Sequence, residues 1–287
     1  MATTTRRFGT GKRESHDASA FYERDLVAVE FSTDDEVVPA PDVDRIWCHS
    51  AEAMAELPSN SVALMVTSPP YHAGKDYDTD ETFEDYLGLL ERVFAETHRV
   101  LEPGGRAVVN VANLGRKPYI PLNALVARMM TERLGYFMRG EVIWQKAVGA
   151  SGSCAWGSWR SASNPTLRDT HEYCLAFSKG RMDRVRKGVN TIDRDEFMSA
   201  TLSVWNIPTE SAKRVGHPAP FPVALPRRFI ELYTFEGDLV LDPFMGSGST
   251  AVAAVESGRH YVGYDTDPEY VALAEQRIAA ARRERTG

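Results

Sequence analysis

The chain has 287 residues, 43% of them hydrophobic and 25% charged, and a formal net charge of −7. That is enough chain for one large domain or two small ones, each with a sizeable core. No apolar run approaches the roughly 18 residues a membrane span needs, and the N-terminus, MATTTRRFGTGKRESHD, lacks the apolar stretch of a secretory signal. Cys48, Cys154 and Cys174 are far apart with no CxxC spacing, so they read as reduced thiols of a cytoplasmic protein with no metal site. The acidic balance, taken alone, argues mildly against nucleic acid as a partner, although local charge counts for more.

Residues 1–44 are polar and mixed in charge, and they read as an N-terminal extension. Residues 45–287 read as the catalytic domain, with a first half at 45–180, a short insert at 181–216 and a last half at 217–287. Arg45–Cys48 is expected as a strand and Ser50–Leu57 as a helix. Ser61–Thr67 is a continuous apolar run, which suits a strand buried on both faces. Thr82–Leu101 has helical spacing, Thr82 as its cap and EPGG as its stop. Strands are then expected at Arg106–Val111, Glu141–Gln145, Glu172–Phe177, Asp238–Asp242 and Tyr261–Asp265. Helices are expected at Ile120–Leu134, Ser249–Ser257 and Pro268–Arg283. Gly149–Pro165 reads as a loop and Asp183–Pro208 as irregular. The alternation predicts an α/β fold, a mostly parallel sheet with helices on both faces.

Two stretches carry chemistry. The first is TSPPY, Thr67–Tyr71, directly after an apolar strand. Proline fixes φ near −65° and restricts the residue before it, so two in a row hold a backbone carbonyl in one direction. The second is DPFMGSGST, Asp242–Thr250, where a strand ends and two glycines precede a helix. Such glycines allow a tight turn and close approach of a ligand to the main chain. An acid, Asp265, follows 23 positions beyond Asp242 at the end of the next strand, where a carboxylate can accept both ribose hydroxyls of a nucleoside cofactor. The loop lacks a full GxGxxG, which makes a nicotinamide cofactor the weaker reading.

TSPPY, DPFMGSGST, HPAPFPVALPRRFI at His217–Ile230, RDTHEYCLAFSKG at Arg168–Gly180 and the Trp144–Lys146 tripeptide together resemble the amino-group DNA methyltransferases over about Arg45 to Arg283. The catalytic motif precedes the cofactor loop, which resembles the β-type order of that family. The resemblance implies a Rossmann-like, seven-stranded, mostly parallel sheet and S-adenosyl-L-methionine (AdoMet) as methyl donor. It also implies double-stranded DNA as substrate, a possible cognate restriction endonuclease and a possible homodimer. It places Ser68, Pro69, Pro70 and Tyr71 in catalysis. Asp242, Phe244, Gly246, Gly248, Thr250, Asp265 and Phe221 are placed in the cofactor site. His49 stands where the family commonly has an Asp near the adenine ring. In the family SPPY goes mostly with cytosine N4 and DPPY with adenine N6, so Ser68 favours cytosine N4, with adenine N6 as the alternative. Enzymes acting on RNA or on protein amides also carry PPY, usually in the opposite motif order. A binding-only relic is a further alternative.

An exocyclic amine is a poor nucleophile because its lone pair is delocalised into the ring. Acceptors aimed at its two hydrogens, the Ser68 hydroxyl and the Pro69 carbonyl, favour the tetrahedral geometry that attack on a methyl group requires. Tyr71 supplies a stacking surface for a base taken out of the duplex. From Arg160 to Gly188 there are seven basic and three acidic residues, a segment that either contacts phosphates or is a solvated face. Lys75, Trp159, Arg160 and Arg168 are the candidate DNA contacts, and no metal is expected.

Overall fold

One sheet of eight strands organises the chain. The computed structural model describes residues 29–70, 82–115, 118–146, 157–210 and 221–286. The chain divides into two compact units, Met1–Ser32 and Thr33–Gly287. In the first, the described residues 29–32 form neither helix nor strand. The second holds every helix and strand among the described residues, and residues 33–44 belong to it.

The strands are β1 (Arg45–Trp47), β2 (Val62–Thr67), β3 (Leu101–Val111), β4 (Tyr136–Gln145), β5 (His171–Lys179), β6 (Val204–Asn206), β7 (Leu239–Asp242) and β8 (His260–Tyr264). Their order across the sheet is β1-β8-β7-β2-β3-β5-β4-β6. Every neighbouring pair is parallel except the two that involve β5. This is the Rossmann-like methyltransferase architecture expected from the sequence, with eight strands instead of seven. The additional strand, β6, is only VWN and comes from the segment read as irregular. It pairs in register with Ile143–Gln145 of β4, a tertiary contact with no local signature.

The helices are α1 (Phe83–Val100), α2 (Leu122–Arg128, continuing as a π-turn over Met129–Arg133), α3 (Arg194–Ala200), α4 (Ala224–Tyr233), α5 (Ser249–Glu256) and α6 (Pro268–Thr286). Thr82 caps α1 as expected, in a reciprocal box with Asp85. The expected helix at Ser50–Leu57 is instead a series of turns. Its backbone groups bond to α1: Met54 N donates to Glu96 at 2.9 Å, and Arg99 donates to the carbonyls of Met54 and Leu57. With those groups satisfied from outside, no helical ladder is required. EPGG follows the end of α1 but lies within β3, bulged out where the register jumps from Val62–Leu101 to Leu64–Arg106. The sequence reading did not contain α3 and α4.

Alternation along the strands divides the core in two. Met65, Val109, Leu175, Phe177 and Leu241 face α1 and α2. Leu64, Val66, Val108, Ala176 and Val240 face α4, α5 and α6. Both faces of β2 are therefore covered, and all six of its residues are buried.

Because β5 alone is reversed, it carries the chain from the edge holding the other strands' C-terminal ends to the opposite edge. Residues 179–188 therefore lie at the sheet edge opposite Ser68, which separates them from Arg168 at the other end of β5. Lys179 is committed to Asn60 Oδ1 and to the carbonyls of Arg99 and Leu101. Burial lowers its pKa to about 8. Arg184 is 7% exposed and bridges Glu102 of β3 at 2.6 Å and Asp238, just before β7, at 2.5 Å. Arg184→Met leaves two buried carboxylates short of a partner and is expected to cost about 3–5 kcal/mol at neutral pH. The loss should shrink in acid as Glu102, whose pKa burial already raises, takes up a proton. Denaturant unfolding at pH 7 and pH 5 measures both.

Candidate active site at the C-terminal edge of the sheet

The ends of β1, β8, β7, β2, β3 and β4, together with the start of β5, line one edge, and most of the site residues read from the sequence are there. β2 runs directly into Ser68, which is half-buried, and Pro69, which is buried. Its neighbour β7 ends in Asp242 and opens into the glycine loop. The two are joined through one carboxylate. Thr67 Oγ1 donates to Asp242 Oδ1 at 2.7 Å, Thr250 Oγ1 donates to Oδ2 at 2.7 Å, and Phe244 N donates to Oδ1 at 3.1 Å. Asp242 is fully buried, and desolvation raises its pKa to about 7 against the pull of these three donors.

The loop itself is shaped by backbone that only glycine adopts readily. Gly246 has φ +49° and Gly248 φ +80°. A side chain at Gly248 would also begin 2.8 Å from Ala274 Cβ of α6, so α6 packs directly against the N-terminus of α5. Asp265 follows β8 and is half-buried. Its Oδ2 accepts from Gly246 N at 2.7 Å and its Oδ1 from Asp267 N at 3.0 Å. Burial raises its pKa, and those backbone donors oppose the shift. The acid is thus bonded directly to the glycine loop.

Other placements refine the list of candidates. Phe244 packs on the α1 side of the core and Phe221 on the α4 side. Trp159 and Arg160 sit in a tight turn closed by a bridge between Gly157 and Pro165, with Arg160 at φ +51° and Trp159 66% exposed. Arg168 is exposed just before β5, on the site's edge of the sheet. Tyr71 and Lys75 lie outside the described residues. His49 places both ring nitrogens on acceptors, Ser50 O at 3.0 Å and Glu56 Oε1 at 2.9 Å. Its pKa rises because of the Ser50 carbonyl first and Glu56 next, against partial burial. Tyr264 Oη donates to the other Glu56 oxygen at 3.2 Å.

Two sets of residues were not assigned roles from sequence. Arg277 of α6 donates to Ser247 O at 2.6 Å and Ser247 Oγ at 2.9 Å, gripping the glycine loop from behind. Asn110 Nδ2 donates to Ser68 Oγ at 3.2 Å and to Glu172 Oε2 at 2.6 Å, and Glu172 pairs with Lys146. Strand alternation could have exposed the second set: Ser68, Asn110, Glu172 and Lys146 each lie two positions from a residue on the α4 side of the core, namely Val66, Val108, Cys174 and Trp144. Among the described residues no cluster of His, Cys, Asp or Glu could hold a metal, and no helix is long and apolar enough to cross a membrane.

A strand-end acid, a glycine turn opening a helix and a second acid on the adjoining strand define a nucleoside-cofactor site of the methyltransferase type. Residues 62–276 match the model of the N6/N4 DNA methylase family, and the chain belongs to that family of AdoMet-dependent DNA methyltransferases. It is 28% identical to the Type II methyltransferase M.BglI of Bacillus subtilis over 79% of this chain and 83% of that one. Among solved structures it is similar to the Thermus thermophilus protein TTHA0409 in complex with S-adenosyl-L-methionine, with 30% identity, a TM-score of 0.67, and 83% of this chain and 93% of that one covered. The PvuII DNA methyltransferase, described as cytosine-N4-specific, shares the fold at 22% identity and a TM-score of 0.65, over 83% of this chain and 91% of that one.

Two outcomes are expected from the cofactor side. Asp242 binds its proton more tightly folded, at about 7, than unfolded, near 4. Its contribution to stability is therefore fullest below the unfolded value and is lost as pH rises to about 7. In Asp242→Asn the unfolding temperature should lose this part of its decline between pH 4 and 7, and parallel native and variant curves would contradict the shift. Arg277→Met removes charge-assisted bonds of about 1.5–3 kcal/mol. AdoMet affinity by calorimetry should fall roughly tenfold, the lower end of that range.

Proposed function

We propose that this chain transfers the methyl group of AdoMet to the exocyclic N4 amine of cytosine in duplex DNA, with the target base flipped out of the helix. The observation that supports this reading is the Thr67–Asp242–Thr250 junction, which ties the residue before Ser68 to the strand that opens into the glycine loop. The residues present fit AdoMet. Gly246 and Gly248 leave room for its close approach, Asp265 offers carboxylate oxygens to the ribose hydroxyls, and Phe244 and Phe221 form walls. Asp242 and Thr250 act indirectly, since their polar atoms are engaged with each other. When bound, the cofactor would supply an electrophilic methyl carbon to the amine nitrogen, with its sulfonium sulfur as the leaving group. Ser68 Oγ and the Pro69 carbonyl accept the two amine hydrogens, which draws the nitrogen toward tetrahedral geometry. The surplus proton leaves to water. Tyr71 stacks on the flipped base. Trp159, Arg160, Arg168 and Lys75 contact the DNA, and their phosphate contacts make binding salt-dependent. A cognate restriction endonuclease and a homodimer complete the reading as the modification half of a restriction system.

The test is direct. Purified protein, AdoMet and unmethylated DNA of mixed sequence are incubated, the DNA is digested to nucleosides, and methylated bases are identified by mass spectrometry. N4-methylcytosine is expected, reduced about 10²-fold or more in Ser68→Ala. N6-methyladenine in its place would assign the adenine amine to the same machinery. No methylated base from protein that binds AdoMet would overturn the DNA reading in favour of RNA or a protein amide.

A further inference from the structure

The polar row beside Ser68 runs across four strands on one face of the sheet. Val66, Val108, Cys174 and Trp144 are buried on the α4 side of the core. Two positions further toward the site's edge stand Ser68, Asn110, Glu172 and Lys146, where the same face turns polar. Asn110 is 2% exposed and Glu172 6%. A carboxylate so deeply buried requires partners, and both its oxygens have them: Lys146 Nζ at Oε1 and Asn110 Nδ2, 2.6 Å away, at Oε2.

This fixes the orientation of the Asn110 amide. An ionised carboxylate only accepts, so the amide must turn its nitrogen to Glu172 and its oxygen away, where it accepts from Cys174 Sγ at 3.3 Å. The same nitrogen then directs its second hydrogen to Ser68 Oγ at 3.2 Å. The Asn110 donor thereby occupies one acceptor position on the Ser68 oxygen and sets how that hydroxyl is oriented. Without the Glu172 carboxylate the amide could rotate and offer Ser68 its oxygen instead. Lys146, paired with the other Glu172 oxygen, holds the carboxylate in place beside the amide. Its side chain is 34% exposed and its ammonium lies 5.4 Å from the centre of the Trp144 ring. For stability alone an apolar set in this row would serve as well as a buried ion pair.

We infer that Lys146 and Glu172, acting through Asn110, are positioning residues that hold the Ser68 hydroxyl with an acceptor lone pair toward the target amine. The inference rests on the methyl-transfer reading above.

Single-turnover methylation of DNA by the full chain tests it, with AdoMet affinity and unfolding temperature measured in parallel. Glu172→Gln and Lys146→Met should each slow methyl transfer about 10²-fold, as expected when a reacting group is misplaced by about 1 Å. AdoMet affinity and KM for DNA should stay near native. The double variant should be no slower than Glu172→Gln alone, because the two act as a unit, and Lys146→Arg should recover most of the native rate. Native rates in both single variants would overturn the inference. So would a loss of rate that only follows falling AdoMet affinity or unfolding temperature, since that marks a structural role. Should Glu172→Gln fail to fold, Lys146→Met decides, its side chain being one-third exposed. A native protein that methylates no DNA would refute the parent reading and this inference together, and the native control separates that result from the others.

Discussion

The site depends on one buried carboxylate. Asp242 holds Thr67, which leads into the catalytic motif, and Thr250, in the first turn of the helix behind the glycine loop. A fully desolvated acid is costly unless hydrogen-bonded. Here three donors set its geometry, and that geometry ties the end of β2 to the glycine loop. Those two residues are 183 positions apart in sequence, so the chain can carry its motifs in this order only because parallel β2 and β7 are neighbours. Permutation of the linear order costs nothing once the strand ends are adjacent.

The cofactor loop is held from several directions. Asp242 lies beneath it, Asp265 bonds Gly246 from the end of β8, and Arg277 grips Ser247 from the helix behind. Loops without such ties sample many conformations and lose that freedom when a ligand binds. A loop fixed in advance keeps more of the binding free energy for affinity. Beyond β2, the polar row ending at Ser68 ties a single hydroxyl in a similar way.

Much of this was legible in the sequence, for physical reasons. Ser61–Thr67 read correctly as a doubly buried strand because a parallel strand covered on both faces has to be apolar throughout. The glycines at 246 and 248 read as a ligand turn because their backbone angles exclude most other residues. Thr82 read as a cap because its bond is made within one turn. What failed depended on distant partners. Ser50–Leu57 has helical spacing, but Arg99 and Glu96 claim its backbone. β6 is three residues that become a strand only beside β4. The basic run ending at Gly188 looked continuous, yet the reversal of β5 sends its second half to the opposite edge, where Arg184 is consumed between two buried acids. The Asn110–Glu172–Lys146 row is spread over three strands, and only the pairing register aligns it.

The pairing of β4 with β5 has a bearing on where such a fold can vary in length. Gln145 and His171 are direct cross-strand partners, so the 25 residues between them leave and re-enter the sheet at one point. Loop closure of this kind grows only logarithmically with length, about 0.6 kcal/mol for each doubling. Trp159, Arg160 and Arg168 all lie in this interval. Beyond Lys146, which the row at Glu172 uses, the interval could be lengthened, shortened or exchanged while the sheet, the junction at Asp242 and the cofactor loop stayed as they are. Its two anchor points make it a replaceable cartridge on a fixed chemical engine.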